Sequence, residues 1–374
     1  MKRLLLLGGG HAHVHVMRAL ARTPPPAAQV TLVSRGRFTP YSGMLPGLLS
    51  GLNTFEESHI DLEWLAGDTG CAFVAAEATR VDVRARRVEC ADGTSFDYDV
   101  LSIDTGSTPA IDHVPGAREH ALPVKPVDRF LAEWDAIESQ IAAGKRPCIA
   151  VVGGGAGGVE LLLSLQHRLR TTIGDTTRFL LVTDEADVLM SHNASVRRIF
   201  RDILKARDVE VHLGHAVVRV DPGVLHRTGG ETIRTDFAVW VTTASAPTWI
   251  AEAGLATDNR GFIAVNDCLQ STSHPEVFAA GDVATMLGHP RPKSGVFAVR
   301  QGPPLARNLR CALSGEALTP HTPQRLALAL IGTGDRYTVA SWGLFAAKGH
   351  WVWRWKRYLD RRWMRTYLPP DRLA

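Results

Sequence analysis

The sequence predicts an α/β fold in which one strand–turn–helix–strand unit occurs twice, and three observations support this prediction. Short apolar runs at residues 4–7 and 148–152 each lead into a glycine-rich turn, which a helical pattern and a second apolar run follow. The two turns begin at Gly8 and Gly153, 145 residues apart. The chain has 374 residues, of which 45% are hydrophobic and 21% are charged, as in folded proteins of two or three domains. Each repeat has the pattern of a Rossmann-like dinucleotide-binding unit, so the sequence predicts two nucleotide sites.

The first unit contains a turn in which glycine is needed for conformation and for close approach. Gly8 permits the tight turn, and Gly10 lets backbone amides approach a pyrophosphate. The charge of the pyrophosphate would then lie at the positive end of a helix predicted over residues 14–21. His13 takes the third position of the motif, where glycine or alanine is usual, so we expect the helix to lie slightly farther from the strand.

Residues around this turn are candidates for contact with the same nucleotide. We expect His11, Ala12 and His13 to lie beside the pyrophosphate, where a partly protonated histidine would add favourable charge. Ser34 and Arg35 follow the second strand of the unit, in place of the acidic residue that is usual there. Histidine recurs at every second position from His11, a spacing that does not share one helix face, so no metal site is predicted.

The second unit matches the full glycine pattern. Gly153, Gly155 and Gly158 precede an amphipathic helix that begins at about Val159 and carries Glu160, which we take as a further cofactor contact. Asp184 follows the next strand and could accept a hydrogen bond from a ribose hydroxyl, which would favour NAD(H) over NADP(H). A threonine occupies the usual acidic position and an arginine lies close by, so the choice between the two nucleotides stays open.

Several features of the whole sequence restrict its location. The five cysteines form no close pair, which fits a reducing compartment. No window reaches 18 uninterrupted apolar residues, and the four leucines of residues 4–7 are too few for a signal peptide. We therefore expect a cytoplasmic protein, or one that lies on the cytoplasmic face of a membrane.

The basic charge is concentrated at the end of the chain. The net charge is +4, but residues 348–374 carry eight basic and two acidic side chains, a local +6, and the other 347 residues sum to −2. The same segment holds four of the nine tryptophans, on a helix predicted over residues 351–368. An aromatic face opposite a row of arginines fits a helix that lies on an anionic membrane surface. The alternatives are packing against the chain's own first domain and a homodimer contact; no nucleic-acid partner is predicted. The predicted aromatic face consists of Trp351, Trp355, Tyr358, Leu359, Trp363 and Tyr367, and the arginines opposite are Arg354, Arg357, Arg361 and Arg365.

Three further segments resemble motifs of a known group. Residues 99–107 (DVLSIDTGS), 239–247 (VWVTTASAP) and 277–282 (VFAAGD) are similar to the two crossover segments and the second flavin signature of the two-dinucleotide-binding flavoproteins related to the pyridine nucleotide-disulfide oxidoreductases. The resemblance implies that FAD and NAD(P)H are the cofactors. It also implies that Thr105 and Gly106 pass near the flavin and that Asp282 accepts a hydrogen bond from the ribityl chain.

The loop at residues 38–47 departs from the disulfide reductases of that group. Those enzymes carry a cysteine pair there, whereas this loop contains Pro40 and Tyr41 and no cysteine, so a thiol–disulfide relay is excluded. The loop instead resembles the flavin loop of type II NADH:quinone oxidoreductases. It resembles still more a bacterial subgroup of NADH dehydrogenase-like flavoproteins that is associated with selenide, water dikinase.

The same resemblance assigns roles near the flavin. Ser294, Gly295 and Val296 open a helix whose backbone amides would contact the N1/C2 edge of the flavin and stabilise its reduced anion. Gln301 would lie near a quinone head-group, with a place on the helix surface as the alternative. Tyr41 would stack on the flavin or close the substrate pocket, with core packing as the alternative. We expect Lys125 to be a solvated or hinge residue rather than a flavin contact.

These interpretations combine into one architecture and one leading function. The FAD domain is split between residues 1–112 and 257–318, the NAD(P)H domain covers residues 113–256, and a C-terminal cap covers residues 319–374. The leading hypothesis is an FAD-dependent oxidoreductase that takes hydride from NAD(P)H and passes electrons to a quinone-like acceptor. One alternative is a soluble flavin reductase that serves a selenium- or sulfur-metabolising partner. The other is a non-catalytic nucleotide-binding module that regulates a partner.

Overall fold

The computed structural model describes residues 1–25, 27–174 and 177–369. Residues 370–374, which belong to the predicted cap and basic tail, lie outside the described residues. Within the described ranges the chain forms two parallel sheets with helices on their faces and a small antiparallel sheet near the C-terminus. The α/β class with two Rossmann-like units is therefore confirmed.

The described residues form 25 strands and 11 α-helices, together with one 3₁₀ turn at Gly281–Val283. The strands are β1 Lys2–Leu7, β2 Ala28–Ser34, β3 Phe38–Pro40, β4 His59–Asp61, β5 Ala72–Ala75, β6 Ala78–Asp82, β7 Arg87–Cys90, β8 Ser95–Asp97, β9 Val100–Ile103, β10 Thr108–Pro109, β11 Ala121–Pro123, β12 Cys148–Val152, β13 Arg178–Val182, β14 Glu210–His212, β15 Val217–Asp221, β16 Val224–Arg227, β17 Thr232–Arg234, β18 Phe237–Trp240, β19 Ala244–Ser245, β20 Ile263–Val265, β21 Val277–Ala279, β22 Ala284–Met286, β23 Ala329–Gly332, β24 Thr338–Trp342 and β25 Phe345–Gly349. The helices are α1 His11–Arg22, α2 Leu45–Leu49, α3 Phe55–Ser58, α4 Leu62–Thr69, α5 Ala117–His120, α6 Val127–Ala142, α7 Ala156–Thr172, α8 Ala194–Ala206, α9 Trp249–Glu252, α10 Gly295–Ser314 and α11 His350–Met364.

The first sheet joins segments that are far apart in the sequence. Its strand order is β21-β9-β1-β2-β5, and all its pairings are parallel. The four leucines of β1 are buried in a core that they share with α1, α10 and the antiparallel strands β6–β8. The carboxyl ends of β1, β9 and β21 meet at one edge, which brings the first glycine turn to Asp104 and Asp282.

The second sheet is built from the middle of the chain. Its strand order is β11-β18-β12-β13-β14, again with parallel pairing throughout. Helix α7 packs on this sheet and buries a row of leucines in a separate hydrophobic core. The two crossover segments between the sheets pair with each other, since Thr108 of β10 lies opposite Ser245 of β19 in an antiparallel ribbon. The split of the first domain follows from this topology, while its limits at residues 112, 256 and 318 stay predictions.

The C-terminal segment contacts both cores. Strands β23, β24 and β25 form an antiparallel sheet whose Ile331 and Val339 join the core around α7. Helix α11 follows, and Met364, Tyr367 and Leu368 at its end are buried in the core of the first sheet. The cap therefore connects the two nucleotide-binding units.

The aromatic residues of the tail do not share the single face that the sequence predicts. Trp363 and Tyr367 turn inward toward the first domain, whereas Trp351, Trp355 and Tyr358 are exposed. The inner face instead carries buried Val352 and two charged residues, Lys356 and Asp360, that are paired with each other. In the part of the chain that the structure describes, no helix has both the length and the apolar character needed to span a bilayer.

Candidate active site

The first glycine turn follows β1 directly, as the sequence predicts. Gly8 has a φ of +93°, and a Cβ atom there would lie 2.5 Å from the carbonyl oxygen of Asp104. Gly10 precedes α1, and a Cβ atom there would lie 2.2 Å from the carboxyl carbon of Asp104. Both positions therefore require glycine, because the neighbouring strand β9 approaches so closely.

His13 has a structural role at the third motif position. It is fully buried, and its Nδ1–H donates to the Gly8 carbonyl at 2.6 Å. Nε2 then accepts from the Ser102 hydroxyl at 2.8 Å, which fixes the tautomer. The imidazole therefore ties the glycine turn to β9 and fills the space that a third glycine would leave empty.

The expectation of a partly protonated histidine is wrong. Burial lowers the pKa of His13 to about 4, and burial, opposed by the charge of Asp282, also lowers the pKa of His11 to about 4. Both rings are neutral at pH 7. His11 instead accepts a hydrogen bond from the Ser42 amide at Nε2 and packs edge-on against Tyr41. Ala12 is buried, and its amide points at Asp104.

The second glycine turn is tighter than the first. A Cβ atom on Gly158 would lie 1.9 Å from the carbonyl oxygen of Gly153, which itself has a φ of +130°. Gly155 is exposed at the N-terminus of α7, where a nucleotide can approach it. Asp184 is exposed just beyond β13, and Thr183 before it is buried and accepts from the Glu185 amide.

Asp282 lies at the same edge of the first sheet as Gly8. Its Oδ2 accepts from the Ser107 hydroxyl at 3.3 Å and from the Lys125 ammonium at 3.1 Å. Lys125 therefore has a partner in the site, although 42% of its side chain is exposed, and its expected role as a solvated or hinge residue stays a prediction. Thr105 and Gly106 form the turn between Asp104 and Ser107, and Gly106 has a φ of +76°.

Helix α10 begins beside this carboxylate. Ser294, Gly295 and Val296 are partly buried at its N-terminus, and a Cβ atom on Gly295 would lie 2.4 Å from the Ser42 hydroxyl. Gln301, almost two turns further along, accepts the Gly281 amide at Oε1 with a distance of 2.7 Å. Its side-chain oxygen therefore holds the turn that carries the carboxylate of Asp282, rather than lying free on the helix surface.

Tyr41 joins the flavin loop to the C-terminal helix. Its ring stacks on Trp363 with centroids 4.2 Å apart and an angle of 24°, and its hydroxyl hydrogen-bonds to Asp360. Burial, reinforced by the charge of Asp360, raises the pKa of Tyr41 well above its usual value, so the phenol is neutral. Pro40 lies in β3, which pairs with β4, so the loop rests on a short hairpin-like ribbon.

A buried group of charges lies behind Tyr41. Lys356 pairs with Asp360 at 2.9 Å and also donates to the Gly43 carbonyl at 2.5 Å. Glu160 of α7 accepts the Gly332 amide at 2.7 Å, and Lys356 lies close enough to interact with its charge. Burial raises the pKa of Glu160 to about 7, partly opposed by Lys356. Glu160 therefore belongs to the junction of the second domain, the cap and the flavin loop.

Ser34 and Arg35 end the second strand of the first unit. Ser34 lies under the glycine turn, where its hydroxyl would be 3.2 Å from a Cβ atom on Gly9. Arg35 is exposed and pairs with Asp128 of α6 at 2.5 Å, which links the two nucleotide-binding units.

Three helices begin at the two candidate nucleotide sites, and their N-termini share two features. Helices α1, α7 and α10 have no side-chain N-cap from their own capping residue and no acidic residue in the first turn. Such helix ends suit anions, because the helix dipole and the first-turn amides favour negative charge, although at α1 the Ala12 and His13 amides already donate to Asp104. The residues present therefore fit a dinucleotide at each glycine turn and an anionic ring edge at α10.

The sequence profile of the pyridine nucleotide-disulphide oxidoreductases matches residues 2–302, which is most of the chain. The chain belongs to this family. Membership agrees with the two glycine turns, the paired crossover segments and the turn at Gly281–Val283.

Similar sequences include NADH dehydrogenase-like proteins and quinone reductases from bacteria. An NADH dehydrogenase-like protein of Mycobacterium tuberculosis is 29% identical over 67% of this chain and 64% of its own length, so the chain matches slightly less than two thirds of that relative. A type II NADH:quinone oxidoreductase of Staphylococcus epidermidis is 25% identical over 84% of each chain. The demethylphylloquinone reductase of Synechocystis is 26% identical over 88% of this chain and 85% of that protein.

Solved structures show the same fold over the whole chain. The sulfide:quinone oxidoreductase of Aquifex aeolicus superposes with a TM-score of 0.80 and 19% identity, covering 100% of this chain and 94% of that one. NDH2 from Plasmodium falciparum in complex with NADH gives a TM-score of 0.75 and 14% identity, covering 99% of both chains.

The cysteines of this protein lie outside the candidate site. Cys71, Cys90 and Cys311 are buried, and Cys148 and Cys268 are partly buried. None belongs to the glycine turns, to the Asp282 turn or to the flavin loop.

Sequence reasoning missed three charged residues of the site. Asp104 belongs to a crossover motif that gives it no role, and its position beside the first glycine turn depends on the pairing of β9 with β1. Lys356 and Asp360 belong to the charged tail, and their spacing of four residues on a helix is the local signal of a pair.

Proposed function

We propose that this protein is an FAD-dependent oxidoreductase that accepts hydride from NAD(P)H and passes electrons to a quinone-like acceptor. The observation that carries the proposal is the convergence of the first glycine turn, Asp282 and the N-terminus of α10 on one edge of the first sheet, in a chain that contains a second complete glycine turn. FAD, when bound, takes a hydride equivalent from the nicotinamide and gives two electrons to the acceptor.

The first domain supplies the groups that hold the flavin cofactor. The N-terminus of α1 would hold the pyrophosphate, although two of its amides donate to Asp104, and Asp282 would offer a carboxylate to the ribityl hydroxyls. Lys125 and Ser107 orient that carboxylate by hydrogen bonds of 3.1 and 3.3 Å. The amides of Ser294–Val296 stabilise negative charge on the reduced ring.

The second domain supplies the nucleotide that delivers hydride. The N-terminus of α7 receives the pyrophosphate of NAD(P)H after Gly155, and Asp184 is available to the adenosine ribose. Glu160, one turn into α7, is directed toward the flavin loop and the cap rather than toward solvent. The choice between NADH and NADPH depends on how Thr183 and Asp184, at the end of β13, contact the adenosine ribose.

The acceptor side is formed by the flavin loop and α11. Tyr41 contacts His11 and stacks on Trp363, and the resemblance of residues 38–47 to the flavin loop of type II NADH:quinone oxidoreductases supports a planar acceptor beside these rings. None of the five cysteines, all of which lie in the described part of the chain, belongs to this loop or to α11, so FAD, when bound, would pass electrons on without a thiol intermediate.

Anaerobic stopped-flow spectroscopy of the FAD-loaded protein tests the proposal. We expect NADH or NADPH to bleach the flavin absorbance, and a water-soluble benzoquinone to restore it in a second mixing step. Absence of bleaching with both nucleotides at millimolar concentration would exclude a dehydrogenase and favour the regulatory module. Bleaching that quinones do not reverse would exclude the quinone acceptor alone.

We further propose that the cap docks on an anionic membrane surface. The hairpin and α11 expose Trp342, Leu344, Phe345, Trp351 and Tyr358, with 89% of Leu344 accessible at the hairpin tip. The basic residues on the exposed side of the same region are Lys348, Arg354 and Arg362. Exposed aromatic side chains beside basic ones are typical of interfacial contacts with lipid.

Vesicle co-sedimentation tests this surface. We expect binding to phosphatidylcholine vesicles that contain phosphatidylserine, with loss of binding when Leu344, Phe345 and Trp351 are changed to serine. The control replaces exposed Val218 and Leu287 by serine, since these apolar residues lie outside the cap. Equal binding of the two variants would contradict the membrane proposal, and a dimer in analytical ultracentrifugation that only the cap variant disrupts would replace it with a self-association surface.

A narrower alternative concerns the acceptor. The segments at residues 8–11 and 40–46 support membership of the subgroup associated with selenide, water dikinase, in which the acceptor would be an oxidised selenium or sulfur species. Turnover screened against quinones, selenite and polysulfide separates this alternative from the quinone reductase.

A further inference from the structure

A buried carboxylate occupies the N-terminus of α1. Asp104 follows β9 with only 3% of its surface exposed, and its Oδ2 accepts the Ala12 amide at 2.8 Å and the His13 amide at 3.2 Å. The carboxyl group lies between two glycines, since Cβ atoms on Gly10 and Gly281 would each lie less than 2.5 Å from its atoms. The carboxyl group of Asp104 is therefore an integral part of the glycine turn.

This carboxylate competes with the ligand that the turn is built to hold. A dinucleotide pyrophosphate carries negative charge and needs the same helix end for its oxygens. Two anions at one buried helix end repel each other strongly, because the surrounding dielectric is low. The conflict disappears when the carboxyl group is protonated, because its carbonyl oxygen can keep the Ala12 amide while its O–H donates to a phosphate oxygen.

The neighbours of Asp104 favour the protonated form. His13 and His11 on α1 are neutral, and Asp282 on the adjoining turn adds negative charge, which Lys125 partly offsets. Among the described residues, no basic side chain forms an ion pair with Asp104. Burial, together with the charge of Asp282, raises the pKa of Asp104 to about 7 although the two amides oppose the shift.

We propose that Asp104 is a residue of the FAD site that must carry a proton when the pyrophosphate is bound, so that FAD binding takes up one proton from solvent. This inference rests on the proposed function, because it assumes that FAD occupies the first glycine turn. The proton goes to a carboxylate oxygen of Asp104, and no covalent bond of the cofactor changes.

Affinity measured against pH tests the proposal. We expect the dissociation constant of the apoprotein for FAD, followed by flavin fluorescence, to rise up to about tenfold per pH unit above pH 7. Asp104→Asn keeps an oxygen for the Ala12 amide and removes the charge, so its affinity stays flat between pH 6 and 7.5 and exceeds that of the wild type at pH 8.5. Calorimetry in two buffers of different ionisation enthalpy reports the proton taken up by the unaltered protein, so the test does not depend on the variant folding.

Two other groups titrate in the same range. Burial raises the pKa of Glu160 to about 7 and lowers that of Lys293, which lines a cavity beside Asp282, to about 8. Both groups are present in the wild type and in Asp104→Asn, so their titration affects both profiles alike and the difference between the two profiles reports Asp104. A flat profile in the wild type, or an unchanged slope in Asp104→Asn, would overturn the proposal while FAD still binds. Failure to bind FAD at any pH would instead contradict the proposed function.

Discussion

At the residue scale, the two glycine turns differ in how the helix packs against the turn at the third motif position. In the second turn the third glycine is required, because a Cβ atom on Gly158 would lie 1.9 Å from the Gly153 carbonyl oxygen. In the first turn His13 stands in that position, and its ring bonds to the Gly8 carbonyl instead. The first helix is therefore held by a side-chain hydrogen bond and the second by direct backbone contact.

A methyl group at Gly158 should weaken nucleotide binding. Gly158→Ala forces α7 away from the turn, at a cost of about 1–3 kcal/mol, and we expect the affinity for NAD(P)H to fall roughly tenfold or more. Gly157→Ala is the matched control, because its Cβ atom meets only Val241 at 3.7 Å. Flavin bleaching rates over a range of NADH concentrations measure both, and equal behaviour of the two variants would show that close packing at Gly158 is not required.

Glu160 should make the stability of the protein depend on pH. Because burial raises its pKa to about 7 from an ordinary value of 4.5, the folded state holds more protons than the unfolded state between these pH values. Its contribution to stability therefore falls as pH rises through this window. We expect Glu160→Gln to be more stable than the wild type at pH 8, by on the order of 1–3 kcal/mol, and to lose this advantage at pH 5. Thermal unfolding at the two pH values measures the difference, and an identical difference at both would contradict the raised pKa.

At the element scale, α11 is best understood by its inner face. The helix buries Val352 and Met364, and it places Lys356 and Asp360 between them, against the flavin loop and α7. An aromatic pattern in the sequence predicted the helix but not which aromatic residues turn inward. Helical periodicity could not show that Lys356 and Asp360 lie on the buried face of α11. Their further partners are on α7 and in residues 41–43, which are far away in the sequence.

Removing the lysine from this face should be costly. Lys356→Met leaves Asp360 buried without its partner, and we expect a loss of about 3–5 kcal/mol in the free energy of unfolding. Lys356→Met combined with Asp360→Asn should recover part of this loss, because no unpaired charge remains. The control is Lys348→Met, an exposed position where a change within about 0.5 kcal/mol is expected. Urea unfolding at pH 7 measures all three, and equal effects at positions 356 and 348 would refute the buried pair.

At the scale of the whole molecule, the sequence predicted what is local and missed what is distant. Strand, glycine turn and helix are contiguous, so both nucleotide units and the Asp282 turn could be read directly. The hydrogen bonds of Lys125 could not be predicted from the sequence, because its partners, Ser107 and Asp282, come from two other segments of the chain. The role of Asp104 likewise depends on the pairing of β9 with β1, which no local pattern reveals.

The absence of a thiol relay is also a property of the whole chain. We expect a variant with all five cysteines changed to alanine to be bleached by NADH within about twofold of the wild-type rate. Its stability should fall, because Cys71, Cys90 and Cys311 are buried and leave small cavities. Stopped-flow bleaching of protein that retains FAD measures the effect. A tenfold slower bleaching at full FAD content would indicate a cysteine in the electron path.

The contact of the cap with both cores has a consequence for biosynthesis. Strand β21 and helix α11 are made late, yet one is an edge strand of the first sheet and the other closes its flavin loop. All five strands of the second sheet are made before either of them, so the middle unit can begin to fold while the first unit still lacks β21, although Ile331 and Val339 of the middle core come later with the cap. A nascent chain arrested before His350 should therefore expose the first unit to chaperones and proteases. FAD capture then becomes one of the last events of maturation, after release of the C-terminus.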